Sequence, residues 1–221
     1  MKKKNIFLAI GMWTLITGCN FNKSDTVKDI VQIKYNGTEQ VYECSSEEIT
    51  NLKRDVSVIV KDNQLFSVIE NSKKSKTYEE GSHKLKANPN VKTCFFVDST
   101  PIENNKYGTQ TPIMKNHPEY GIVSISIHGN FAYRVNDAIK YIEVYNQPDV
   151  YISIMRSYLI NYYSIYVSET NYNTLIQETK MIQQILDKVN KDIEKYGLEI
   201  TESTIEGIEV ETNTGEIIFQ N

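Results

Sequence analysis

Cysteine is scarce in this chain: three in 221 residues, at positions 19, 44 and 94. That excludes a disulfide-dense scaffold, so the fold must rest on a hydrophobic core. Histidine is equally sparse. His83, His117 and His128 stand far apart in sequence, and no H-x-x-x-H or C-x-x-C pair occurs. Zinc sites are built from such closely spaced pairs. Also missing are a G-x-S-x-G elbow, a phosphate-binding glycine loop and the acidic spacing of a calcium loop. Cys44 and Cys94 have no sequence neighbour that favours a thiolate. No catalytic residue, cofactor or metal ligand is therefore expected. Long apolar runs are wanting too. The stretch at residues 6–16 is far short of the ~20 residues a spanning helix needs.

What is present begins at the first residue. Met1-Lys2-Lys3-Lys4 is a short basic region, followed by the apolar stretch and then Ile16-Thr17-Gly18-Cys19. A basic start, an apolar core and a small-residue cleavage site make a secretory leader. The last four residues resemble the bacterial lipobox, an aliphatic residue and two small ones before an obligatory cysteine. That resemblance implies diacylglycerol on the Cys19 thiol and cleavage just before it. Two or more acyl chains hold a protein stably to a membrane. The competing reading is an uncleaved, weak anchor with an incidental cysteine. Residues 20–25 read as a polar tether. The expected organisation is a leader at 1–18, a lipidated cysteine and tether at 19–28, one folded domain at 29–212 and a tail at 213–221.

Charge narrows the partners. Three of the 24 Lys+Arg fall in the leader, which leaves 21 against 28 Asp+Glu and a balance of −7. A domain of that sign lacks the basic footprint of a nucleic-acid binder. It gains nothing from anionic headgroups, so attachment falls to the lipid. Export would put Cys44 and Cys94 where a disulfide persists. The two lie in strand-like runs, 40–44 and 91–97, that meet the bridge geometry if the strands are neighbours. Two buried free thiols are the other reading.

The chain from 29 to 135 reads as mainly strand. Residues 30–35 and 40–44 flank the turn dipeptide Asn36-Gly37. Residues 56–60 alternate, Asp62-Asn63 turns, and 65–69 follow, which is a hairpin signal. Residues 47–53 read as short helix or loop, and Glu47-Glu48 as exposed charge. Residues 78–85 carry a turn glycine beside His83, and 107–113 read as loop. The longest strand is expected at 120–135, where Val123, Ile125 and Ile127 alternate with Ser124, Ser126 and His128, and Gly129 signals a bulge.

From Asn136 the period becomes helical. Asn136 is the expected N-cap of a short helix at 138–145. Pro148 opens a second, to about 167. Ile152, Met155, Leu159 and Tyr163 form one stripe of it, and Tyr151, Tyr158, Tyr162 and Tyr166 an adjoining one. Tyrosine suits a place where an apolar ring is covered and its hydroxyl stays wet. The second stripe is thus either an oligomer interface or ordinary core and rim. A third helix, amphipathic over 173–196, stops at Gly197 as a C′ residue. Residues 198–210 return to the sheet, and 212–221 suggest a hairpin around Asn213-Thr214-Gly215. The fold class is α+β: largely antiparallel sheet, then helices, then a returning C-terminal strand.

This order resembles the SPFH or band 7 domain of stomatins, prohibitins and flotillins. The closing helix with Lys195-Tyr196-Gly197-Leu198-Glu199-Ile200 and Ile205-Glu206-Gly207-Ile208 carries the likeness. The upstream half is similar to a bacterial branch labelled virion core protein-like. Its counterparts here are residues 58–64, Gly81-x-His83-x-Leu85, Asn88-Pro89, Tyr107-Gly108-Thr109 with Pro112-Ile113, and Gly129-Asn130-Phe131. The zinc ribbon of that branch and the coiled-coil arm of flotillins have no counterpart in these 221 residues. The resemblance implies a non-enzymatic, membrane-held scaffold that forms homo-oligomers and serves membrane-protein clients. A monomeric extracytoplasmic lipoprotein that binds a ligand or protein is the alternative. A hydrolase with an unrecognised site is a third class. The lipid reading places the chain on the extracytoplasmic face of the cell membrane or outer membrane.

Overall fold

A computed structural model describes residues 30–72, 74–145, 148–170 and 178–220. The expected leader, Cys19 and tether lie outside these residues, as does the expected start of the third helix at 173–177. The architecture is α+β, with twelve strands and four helices among the described residues.

The strands form three sheets. The smallest has the order β1 (Val31–Lys34), β3 (Val56–Val60), β6 (Gly81–Leu85). The second is β2 (Val41–Glu43), β7 (Val91–Asp98), β4 (Gln64–Glu70), β5 (Ser75–Tyr78). The third is β12 (Ile217–Gln220), β11 (Leu198–Thr212), β10 (Gly121–Val135), β8 (Ile102–Gly108), with β9 (Ile113–His117) also on β10. All described pairings are antiparallel except β1 with β3.

The expected hairpin around Asp62-Asn63 does not form, and the runs around Asn36-Gly37 do not pair with each other either. The runs around Asn36-Gly37 enter different sheets, β1 on β3 and β2 on β7. The runs around Asp62-Asn63 also part, with β3 in the small sheet and β4 in the four-stranded one. Asn63 makes that corner at φ 53°, a conformation asparagine tolerates better than most residues. Asp62-Asn63 turns the chain as expected, while Gly37 makes only a bend; a turn does not say whether its two strands pair or pack. Alternation explains the packing. Val56, Val58 and Val60 are all buried and face Phe66, Val68 and Phe96 across a shared core with Ile33, Leu52, Cys44 and Cys94.

β10 follows its alternation: Val123, Ile125 and Ile127 are buried, while His128 is exposed. The ladder to β11 shifts between His128 and Gly129, where the extra residue, Glu206, lies on β11. Residues 107–108 are strand, not loop, because Tyr107 and Gly108 pair with Gly129 and His128.

The two long helices, Pro148–Glu169 and Glu178–Ile193, cover the third sheet, while the short Ser46–Leu52 packs on β7 of the four-stranded one. α1 (Ser46–Leu52) starts from a capping box in which Ser45 and Glu48 satisfy each other's backbone N–H. Glu48 also accepts from Tyr42 Oη at 2.9 Å, so it is not simply exposed charge. α2 (Ala138–Val144) is capped by Asp137, one residue later than expected, with Oδ1 accepting from Ile139 and Lys140 N–H. α3 (Pro148–Glu169) buries Met155, Leu159, Tyr163 and Val167 at four-residue steps. Each such side chain, removed from water, contributes about 1.5–3 kcal/mol. Lys115 of β9 donates to the last carbonyls of α3, Val167 and Ser168, where a cation also suits the helix dipole. α4 (Glu178–Ile193) buries Met181, Ile185, Leu186, Val189 and Ile193. It runs through a 3-10 turn, Glu194–Tyr196, into Gly197 at φ 69°. A Cβ there would stand 2.2 Å from Asp137 O, so glycine both ends the helix and admits α2.

Candidate functional site

Of the upstream motifs, Tyr107-Gly108-Thr109 and Gly129 converge on a buried polar knot between β8, β11 and α3, while Gly81–Leu85 and Asn88-Pro89 stay apart from it. Tyr107 donates to Thr204 O at 3.0 Å, and its hydroxyl lies 3.1 Å from that of Tyr163. The two rings stack with centroids 5.4 Å apart. Burial, reinforced by the neighbouring Tyr163, holds the Tyr107 hydroxyl far above the usual tyrosine range. Burial raises Tyr163 as well. Such hydroxyls keep their protons and so remain hydrogen-bond donors, as Tyr107 is to the Thr204 carbonyl. Gly129 closes the knot, since a Cβ there would lie 1.9 Å from Thr204 O and 2.8 Å from Tyr107 Oη. Thr109 finishes it, donating its backbone N–H to Ile127 O at 2.9 Å and accepting from Ile127 N at 3.0 Å. The aromatic-Gly-Thr motif and Gly129 thus bind three strands and a helix together.

The tyrosines expected at an interface are half-buried, and three of them meet the end of α4. Tyr162 donates to Asp192 at 2.7 Å, Tyr158 accepts from Lys195 at 3.3 Å, and Tyr151 packs on Tyr196 at 5.2 Å. Tyr166 packs at the border of the same core. The stripe therefore has a partner inside the chain, because α4 folds back along α3. Beside it runs an open groove of about 700 Å³, lined by Val150, Ile154, Tyr158, Asn161 and Tyr196 among others. Val150 is 46% exposed there. Sequence periodicity did not find this groove, because its rim is made of serines and Asn161 that read as solvated surface.

Cys44 and Cys94 are joined as a disulfide, with Cα atoms 5.3 Å apart, where β2 leads off its pairing with β7. Both are buried in the core shared by the two smaller sheets. The histidines stay on separate strands. His83, in β6 and not in a turn, bonds Glu79 O through Nε2 at 2.7 Å. His117 Nδ1 accepts from the backbone N–H of Glu119 and Tyr120. His128 pairs with Gly207 and Gly108. Among the described residues no group of three His, Cys, Asp or Glu is placed to hold a metal ion. None of their helices is long and apolar enough to cross a membrane. Asn190 is a residue that sequence reading missed. Its amide accepts from Ile200 N at 2.8 Å and donates to Ile200 O at 3.0 Å, standing in for a strand partner where β11 begins.

A family model described as SPFH domain-Band 7 family matches residues 87–221, more than half of the chain. That range takes in β7 through β12 and all helices after α1. No curated protein matches the chain in sequence.

Proposed function

The chain belongs to the SPFH domain-Band 7 family, and from that premise we propose that it is a membrane-anchored, non-enzymatic scaffold that assembles with copies of itself at the cell envelope. The observation that carries this reading is the family match, since the family is a scaffold type associated with membranes. The anchor is lipid on Cys19, in line with the lipobox-like residues 16–19 and with a mature charge of −7 that gives no net attraction to an anionic surface. The chain then stands on the extracytoplasmic face. The buried Tyr107 hydroxyl is spent on the Thr204 carbonyl, which suits a structural role.

The contact surface follows the groove on the outer side of α3. Val150 and Ile154 offer apolar area, and Tyr158 forms a wall. Tyr151, Tyr162 and Tyr166 flank it and set α3 against α4. The occupant is a second copy of the chain. Fractionation of a Cys19→Ala variant tests the anchor: loss from the membrane fraction supports it, and retention rejects it. Sedimentation of the detergent-extracted protein tests assembly. A large particle that Val150→Asp with Asn161→Lys reduces to single chains supports the reading. A wild-type protein that sediments as one chain rejects it and favours the monomeric binding lipoprotein.

A further inference from the structure

Where α3 crosses β8 the chain holds a second cleft, of about 340 Å³. Ser153, Arg156, Ser157 and Ile160 face it from α3, at the three- and four-residue steps that share one helix side. Lys106, Tyr107 and Gly108 line it from β8, with Gln110 just beyond. No carboxylate is among these lining residues. Arg156 Nε is buried and finds no hydrogen-bond partner among the described residues. A buried donor without an acceptor is costly, and a charged one more so. Lys106 and Arg156 take part in none of the ion pairs found among the described residues.

We propose that this cleft binds a phosphate group between Arg156 and Lys106. The guanidinium supplies a planar fork of donors matched to two phosphate oxygens, and the ammonium a point charge for a third. Ser153 and Ser157 hydroxyls now bond the carbonyls of Asp149 and Ser153, both at 2.9 Å. They are free to rotate toward an acceptor, and the Gln110 amide adds another donor. So many donors with no acid suit a phosphate better than a carboxylate, which one arginine satisfies. The group belongs either to free phosphate or to a phospholipid headgroup. The inference does not depend on the scaffold reading, and the cleft uses neither Val150 nor Asn161.

The test uses the full-length, detergent-purified protein titrated calorimetrically with inorganic phosphate at low ionic strength. One phosphate per chain is expected, and Arg156→Gln should weaken binding about tenfold or more. Lys106→Gln should weaken it less; its side chain is exposed, so the variant folds whatever Arg156→Gln does. Phosphate should raise the melting temperature of the wild type and leave that of Arg156→Met unmoved. In a second arm, a Cys19→Ala protein is sedimented with phosphatidylcholine vesicles, with and without phosphatidic acid. Capture by the phosphatidic acid vesicles alone, lost with Arg156→Gln or Lys106→Gln, identifies a headgroup as the source. Binding in neither arm, or binding unchanged by both substitutions, overturns the proposal.

Discussion

Replacing both cysteines, Cys44→Ala with Cys94→Ala, should lower stability by about 4 kcal/mol. The bridge closes 50 residues, and the chain-entropy relation for a loop of that length gives this figure at room temperature. Local contacts should survive, because Cys44 N–H still donates to Cys94 O at 2.8 Å and β2 keeps its three pairs with β7. The loss therefore arises mainly from a less constrained unfolded chain. For a domain of this size the same energy corresponds to a fall in melting temperature of about 8–16 °C. Urea unfolding followed by circular dichroism, with and without reductant, is the assay. Reductant should move the wild type to the midpoint of the double variant and leave the variant where it is. Equal midpoints without reductant, or two titratable thiols in the oxidised, denatured protein, would refute the reasoning.

Gly129→Ala should cost about 3 kcal/mol or more, since its Cβ would meet the Thr204 carbonyl at 1.9 Å and backbone cannot step aside as a side chain can. Chemical denaturation measures it; a cost under half that would show that β11 shifts freely. Tyr107→Phe removes the donor to Thr204 O and should cost about 1–3 kcal/mol, again read by denaturation. Burial, with Tyr133 and Tyr145 nearby, pushes Tyr141 up to about 12. Its folded form holds the proton more tightly than the unfolded chain does. The stabilisation is therefore whole below about pH 10 and falls by up to about 3 kcal/mol as pH rises to 12. Tyr141→Phe should flatten that alkaline slope; an unchanged slope would assign it to the other buried tyrosines.

The helical half was legible because its signals are local. The α4 stripe, the stop at Gly197 and the alternation of β10 each lie within a few residues of one another in sequence. The first 70 residues were harder. Asn36-Gly37 and Asp62-Asn63 announce turns, but partner choice depends on β6 and β7, which come later in the chain. The parallel pair β1 and β3 has no local signature at all. Tyr107-Gly108 looked like loop because glycine and threonine dominate there; pairing with β10 overrides that preference. Gly129 pointed to the irregularity, yet its cause, the inserted Glu206, sits on the opposite strand. Of the candidate site, the tyrosine stripe was visible as a stripe, but periodicity does not say that α4 would lie against it.

β7 has one more consequence. Val91, Cys94 and Phe96 point into the cystine-bearing core, while Phe95 and Val97 belong to the core beneath the helices. A single strand is thus a party wall for both compartments, and neither can be repacked without moving it. Whatever clamps α3 and α4 should slow amide exchange along residues 93–97, at a distance from where it binds.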